Sequence, residues 1–242
     1  MAISLSTALV NRIIGKGISV VDAGSQISFT APNLINTTQG DFLTAGFRPG
    51  MVINVVSGGA STNAGYWTIA SLVAGVITVS EATISTEAAA VDTPTILAVN
   101  GFGWQEALRY SIFVVYTSPE PANADLAATG TKLLEMTVDD GGLTPGTLTN
   151  GIQWDFDSIG KIVVASGDTV QGTGLVTDTA YYGRLYDNGY IEGNDSVNLQ
   201  SPRIQGRVGV GTSQDFGITH TQVTSGVVNT LTSFNITQPK VA

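Results

Sequence analysis

The chain has 242 residues, no cysteine, a net charge of −9 and only 12% charged residues, against about 25% in ordinary soluble domains. Its length can build a core without disulfides or metals, and the lack of cysteine excludes disulfide frameworks, thiolate metal sites and cysteine nucleophiles. Ten scattered Lys and Arg residues form no positive stripe, which argues against nucleic-acid backbones and anionic membranes as partners.

The start, Met1-Ala2-Ile3-Ser4-Leu5, lacks the basic and apolar regions of a secretory signal, so synthesis in a cytoplasm is expected. No apolar run approaches the roughly 18 residues of a membrane-spanning helix. Residues 4–16 read as a short helix: Leu5, Leu9 and Ile13 recur at every fourth position, Ser4 or Ser6 can cap it, and Gly15 or Gly17 can end it.

From Ser19 the period falls to two. Gln26–Thr30 alternates before a break at Pro32-Asn33, and Gly46–Gly50 is a turn ahead of a strand over Met51–Val56. Ser57-Gly58-Gly59 and Asn63-Ala64-Gly65 punctuate next, followed by strands over Tyr66–Leu72 and Val76–Ser80, with an exit near Ala88–Pro94. Short strands at this spacing predict a small barrel or sandwich over residues 19–99. Asn100-Gly101 and Gly103 mark its boundary.

Arg109–Tyr116, Lys132–Val138, Ile152–Phe156, Lys161–Ala165, Thr169–Thr173, Tyr181–Tyr186, Arg203–Val210 and Thr232–Thr237 then read as strands. That number suits an antiparallel sandwich. Asp187-Asn188-Gly189-Tyr190 carries the Asn-Gly signature of a tight hairpin. The expected fold is therefore all-β: a short N-terminal helix (1–18), a small β-domain (19–99) and an antiparallel sandwich (100–242), with the helix belonging either to the first of two tandem domains or to the sandwich.

Sites for chemistry are sparse. His220, the sole histidine, lies in the strand-like Ile218-Thr219-His220-Thr221 with no nucleophile elbow nearby. Asp155 with Asp157, and Asp139-Asp140, could supply paired carboxylates, but in this setting read as solvated edge charges. Asp187, Asn188, Glu192, Asn194 and Asp195 gather oxygen donors without a calcium-loop spacing. Gly206, Gly209 and Gly211 miss the dinucleotide pattern and read as strand glycines. No catalytic, metal or cofactor-binding residue is assigned, and no enzyme activity or cofactor is expected.

The charge missing from the composition is replaced by Thr, Ser, Gly and Asn. A surface poor in Lys and Glu loses the side chains with most rotamer entropy, which are also depleted at interfaces. The composition fits a chain covered by neighbours.

Two stretches carry a resemblance: Pro121-Ala122-Asn123-Ala124-Asp125-Leu126-Ala127-Ala128-Thr129-Gly130-Thr131-Lys132-Leu133-Leu134, and Ala180-Tyr181-Tyr182-Gly183-Arg184-Leu185-Tyr186-Asp187-Asn188-Gly189, with Thr147–Ile152 between them. In that order, after a short helix, they resemble a family of small structural proteins of tailed-bacteriophage virions. Residues 19–99 interrupt that order, so the resemblance implies a discontinuous main domain (1–18 with 100–242) carrying an inserted small β-domain (19–99), which with Asp41-Phe42, Gly46-Phe47, Pro49-Gly50 and Asn63-x-Gly65 resembles a β-module common in phage structural proteins. The resemblance implies a virion building block, with capsid decoration or another head-associated place as the leading expectation and a tail or head–tail connector as the alternative. It implies partners among copies of itself and other virion proteins such as the major capsid protein, and assembly in a bacterial cytoplasm. A carbohydrate- or receptor-binding module is the reading of a different class, with Trp67, Trp104, Trp154, Tyr181 and Tyr182 as stacking platforms.

Overall fold

The computed structural model describes residues 3–13, 18–56, 61–89, 93–98, 107–156, 162–192, 202–211 and 214–234. Gly15, Gly17, Ser57-Gly58-Gly59, Asn100-Gly101, Gly103, Trp104, Asp157, Lys161, Asn194, Asp195 and residues 235–237 lie outside the described residues.

The chain begins with a strand where a helix was expected. Ser4–Leu5 forms β1, paired antiparallel with Gln205 and Ile204, and the helix α1 spans Thr7–Ile13. Ser6 sets the boundary: its Oγ accepts the N–H of Leu9 at 3.2 Å, the bond of an N-cap to the third helical residue. Its own N–H donates to the Arg203 carbonyl. Period-four spacing could not reveal that Leu5 is held in a sheet by a partner some 200 positions on.

The described chain divides into two compact units, Met1–Asn11 with Phe102–Thr144 and Thr149–Ala242, and Arg12–Gly101 with Pro145–Leu148. The division falls inside α1, a few residues before the boundary expected at 18–19. Arg12, buried, donates through Nη2 to the carbonyl of Gly46 at 2.9 Å, and Leu72 N–H donates to the carbonyl of Gly146 at 2.8 Å. These bonds tie Arg12 and Gly146 to the smaller unit.

That unit contains β2 (Ser19–Val21), β3 (Ile27–Thr30), β4 (Leu34–Thr37), β5 (Val52–Val56), β6 (Gly65–Val73), β7 (Val76–Val79) and β8 (Thr95–Ala98) in the order β2-β8-β5-β6-β7-β4-β3. All pairings are antiparallel. The outermost strands, β2 and β3, are consecutive in the chain. A flat seven-stranded sheet would hold them about 29 Å apart at ~4.8 Å per strand, whereas the residues between Val21 and Ile27 reach roughly 22 Å fully extended. The sheet must curl toward closure. Asp22 fixes the closing turn, its carboxylate accepting N–H bonds from Gly24, Gln26 and Ile27. Inside are Phe29, Ile35, Phe47, Ile53, Ile69, Leu72, Ile77 and Ile96, each at most 2% exposed.

The larger unit contains β9 (Ile112–Tyr116), β10 (Lys132–Val138), β11 (Trp154–Phe156), β12 (Ile162–Val164), β13 (Val170–Thr173), β14 (Asp178–Thr179), β15 (Tyr182–Tyr186), β16 (Arg203–Val210), β17 (Phe216–Ile218), β18 (Gln222–Val223) and β19 (Val228–Phe234). Its main sheet runs β1-β16-β15-β9-β10-β13-β19-β17, and β17 also pairs, in parallel, with β16. Seven strands thus form a closed ring of hydrogen-bonded neighbours, so the all-β body expected from the sequence is a sandwich closed into a barrel. The Asn188-Gly189 hairpin is not formed: Tyr186 pairs with Arg203, and Asp187 instead makes a local turn, accepting the N–H of Gly189 on Oδ1 and that of Tyr190 on its carbonyl.

Residues paired directly across strands share a face. Phe113, Val115, Leu134, Met136, Leu185, Ile204, Val208 and Phe216 therefore lie on one side. Phe113 and Phe216 sit on strands not adjacent in the ring, yet their ring centroids are 4.6 Å apart, so this face is the barrel interior. The opposite face of β9, β15 and β16 is covered too: all five residues of β9 and of β15 are buried.

Candidate functional site

The covered outer face has an unusual composition. Register places Ile112, Val114 and Tyr116 of β9, Tyr182, Arg184 and Tyr186 of β15, and Arg203, Gln205 and Arg207 of β16 side by side. Arg184, Arg203 and Gln205 are at most 1% exposed. A buried cation is costly unless it is hydrogen-bonded; Arg184 is bonded by Gln205, and the partners of Arg203 and Gln205 come from the segment 117–131, which crosses this face as a strap.

Each strap contact is specific. Arg203 donates through Nε to the carbonyl of Ala124 and through Nη2 to that of Asp125, 3.0 Å away. Gln205 Nε2 donates to the carbonyl of Pro121 at 2.8 Å and to Glu120 Oε1 at 3.3 Å, while its Oε1 accepts Arg184 Nε and Nη2 at 2.9 and 2.7 Å. Arg207 closes the row: Nε lies 2.6 Å from Glu120 Oε2, and its guanidinium sits 3.9 Å from the Tyr181 ring centroid. The near end of the strap is tied to the helix start, where Thr7 donates through both N–H and hydroxyl to the Asp125 carboxylate.

Tyrosines fill the other half. Tyr116 and Tyr182 stack at 5.1 Å, Tyr186 and Tyr190 meet as tilted rings at 4.6 Å, and the Tyr116 and Tyr186 hydroxyls meet at 3.3 Å. Burial, then the nearby Glu135 carboxylate, raises the Tyr190 phenol well above its usual range. Lys132 lies 2.8 Å from both Glu135 and Glu192. Burial disfavours its charge, but the bonds to the two carboxylates outweigh that and raise its ammonium above the usual value. The two stretches that carry the resemblance, 121–134 and 180–189, are therefore packed against one another.

The residues weighed for chemistry do not assemble into a site. His220 is exposed, its N–H donating to Asn229 Oδ1. Asp155 is exposed on β11. Asp139 and Asp140, both with positive φ, form a turn, and Asp140 Oδ2 accepts the Thr173 hydroxyl at 2.6 Å. Asp187 and Asn188 are buried, whereas Glu192 is drawn to Lys132. Among the described residues no three His, Cys, Asp or Glu side chains converge as a metal site. Gly206 and Gly209 lie in β16, where added Cβ atoms would meet Asp215 and Gln214.

Of the proposed stacking platforms, Trp154 and Tyr182 are core residues: Trp154 Nε1 donates to Ser111 Oγ at 2.7 Å, and Tyr182 is wholly buried. Trp67 is half-buried with Nε1 bonded to the Asn63 carbonyl, and Tyr181 is exposed beneath the Arg207 guanidinium.

Arg184, Arg203, Gln205 and Glu120 were not among the candidate site residues read from the sequence. A signal was present: Arg203-x-Gln205-x-Arg207 puts three long polar groups on one face of a strand. In isolation that pattern reads as a solvent face. No family model matches the chain, and no curated protein or solved structure matches it.

Proposed function

We propose that the chain is a structural subunit of a tailed-bacteriophage virion, acting through protein–protein assembly in a head-associated, capsid-decorating place. The observation that carries this reading is the surface. The chain has 12% charged residues, and exposed positions include Val10, Val21, Val56, Tyr66, Val73, Leu126, Leu148, Leu175, Val176, Val210, Val227 and Val228. Apolar and Thr/Ser surface with few Lys and Glu side chains loses little entropy when covered, while the −9 charge keeps free subunits apart by mutual repulsion. The motif order supports the same reading, because its two stretches are mutually buried partners.

A tail or connector subunit would share these properties and differ in location. A glycan-binding module is supported less, since Trp154 and Tyr182 serve the core.

The test is binding of the purified protein to heads that lack it, at low and high salt. An apolar contact persists as salt rises, whereas exposed ion pairs weaken. Retention on heads at both salts is expected; a strict monomer that ignores heads and tails yet binds a glycan array overturns the assembly reading.

A further inference from the structure

None of the seven strands of the smaller unit, β2 to β8, contains an Asp, Glu, Lys or Arg residue. The charges between the strands are turned inward. Arg12, Asp22, Arg48 and Glu87 are buried. Asp41 and Glu81 are half-buried, and their carboxylates accept backbone N–H groups, Asp41 from Leu43 and Gly75 and Glu81 from Thr68. Among the described residues no charged side chain of this unit stands fully in solvent, whereas the surface of a soluble domain is usually about a quarter to a third charged. Residues 12–101 with 145–148 hold three Lys or Arg and five Asp or Glu, a net of −2; the rest of the chain holds seven and fourteen, a net of −7.

Register gathers exposed apolar side chains of this unit on one face. Val21, Thr95 and Val56 stand side by side across β2, β8 and β5, and in the next row Leu97, Asn54 and Tyr66 do so across β8, β5 and β6. The residues that alternate with them, Ile53, Val55 and Ile96, are at most 1% exposed, so this face looks outward. Val21, Val56 and Tyr66 are 57%, 42% and 66% exposed. An antiparallel sheet that faces water ordinarily turns its polar residues outward. Four strands of about five residues make a face of about 300 Å².

The missing charge defines the kind of partner that fits. A basic partner is best met by carboxylates, and this face has none. An acidic partner is best met where carboxylates are absent, because like charges brought together at a contact oppose it. A second copy of the chain, at −9, is such a partner. Face against face it offers the same uncharged residues, the self-complementary arrangement of a two-fold contact.

We propose that the outward face of β2, β8, β5 and β6 is the contact between two copies of this chain, paired about a two-fold axis through Val21, Val56 and Tyr66. This rests on the assembly reading above and names one of its contacts. The face is smaller than the ~800 Å² per partner of a standard interface. The pair is therefore weak in free solution and is reinforced where many copies are held side by side.

The experiment is sedimentation equilibrium of the full chain from about 10 μM to about 1 mM, a range that brackets a weak contact. The wild type should pass from monomer toward dimer, at least as strongly at high salt as at low, since no ion pair is lost and repulsion is screened. Tyr66→Glu and Val21→Glu fall on exposed residues of opposite ends of the face, and an unchanged denaturation midpoint checks their folding. Each should raise the dissociation constant at least about tenfold. Leu175→Glu, which adds the same charge at an exposed position of the larger unit, should leave it nearly unchanged. A wild type that stays monomeric throughout overturns the proposal without recourse to any variant. So does a dimer that survives both face variants or is lost to Leu175→Glu.

Purified particles separate this contact from the assembly reading. Wild-type protein that is monomeric in solution at about 1 mM yet present in particles overturns the contact and leaves assembly intact. Protein that pairs through this face yet is absent from particles overturns the assembly reading and leaves the contact intact.

Discussion

Tyr182 and Thr129, 53 residues apart, exchange two hydrogen bonds: the Thr129 N–H donates to the Tyr182 hydroxyl at 2.9 Å, and that hydroxyl donates to the Thr129 carbonyl at 2.6 Å. One phenol thus satisfies both backbone groups of a strap residue at the point where the strap leaves the barrel face. Tyr182→Phe keeps the ring stacked on Tyr116 and removes both bonds. It should lower unfolding stability by about 2 kcal/mol, since two polar groups lose their partner. Urea denaturation should show a lower midpoint with an unchanged slope.

Glu120 and Arg207 hold the other side of the strap. Glu120→Gln leaves the shape and the Gln205 contact but removes the ion pair, and a loss of about 2 kcal/mol is expected because Arg207 is partly exposed. The double variant with Arg207→Gln should lose less than the sum of the two single changes. Additive losses in a double-mutant cycle would mean that the 2.6 Å contact carries no coupling.

The two units should respond to opposite ends of the pH scale. In the smaller unit burial would raise the Asp22 carboxyl, but N–H bonds from Gln26, Gly24, Ile27 and Ser25 outweigh it and hold it below its ordinary 3.8. Glu81 is likewise lowered from 4.5, by the N–H groups of Thr68 and of Glu81 itself and by the Thr68 hydroxyl, against burial. Lowered carboxyl values give stability that is present above the unfolded values and lost as pH falls through the folded ones. In the larger unit Tyr190 and Lys132 are raised, so their contribution is complete below about pH 10 and lost above it. Amide exchange followed against pH should show the smaller unit loosening first below pH ~4 and the strap face loosening first above pH ~10. The reverse order would contradict these assignments.

Gly183 lies inside the barrel between Phe113 and Val208. A Cβ there would sit 2.3 Å from Phe113 Cζ and 3.0 Å from Val208 Cγ2. Gly183→Ala should therefore cost about 1–3 kcal/mol through overpacking. Combining it with Phe113→Leu should recover part of the loss, measurable as a rise in denaturation midpoint over the single variant.

The fold class was legible in the sequence because burial on one face leaves a period of two, as in Ile27–Thr30 and Val76–Val79. The small strands β2, β4 and β8 were harder to see: Ser19–Val21 is largely exposed, and Leu34–Thr37 begins just after a proline. The ring closure through β16 and β17 joins residues by parallel pairing, which no local signal encodes. The strap face escaped sequence reasoning for a different reason. Arg184, Arg203 and Gln205 look like surface residues until Pro121, Ala124 and Asp125 arrive to cover them, and that encounter spans about 80 positions. The quoted stretches 121–134 and 180–189 were visible as motifs; that each is the other's packing partner was not.

The role proposed for this protein is that of a building block of a virion. Quantitative peptide mass mapping of purified particles, with copy number referred to the major capsid subunit, tests it most directly. Peptides from both units are expected at a copy number comparable to that of the capsid protein, as decoration of a symmetric shell requires. A copy number of a single ring would move the protein to the connector or tail, and complete absence from particles would contradict the account.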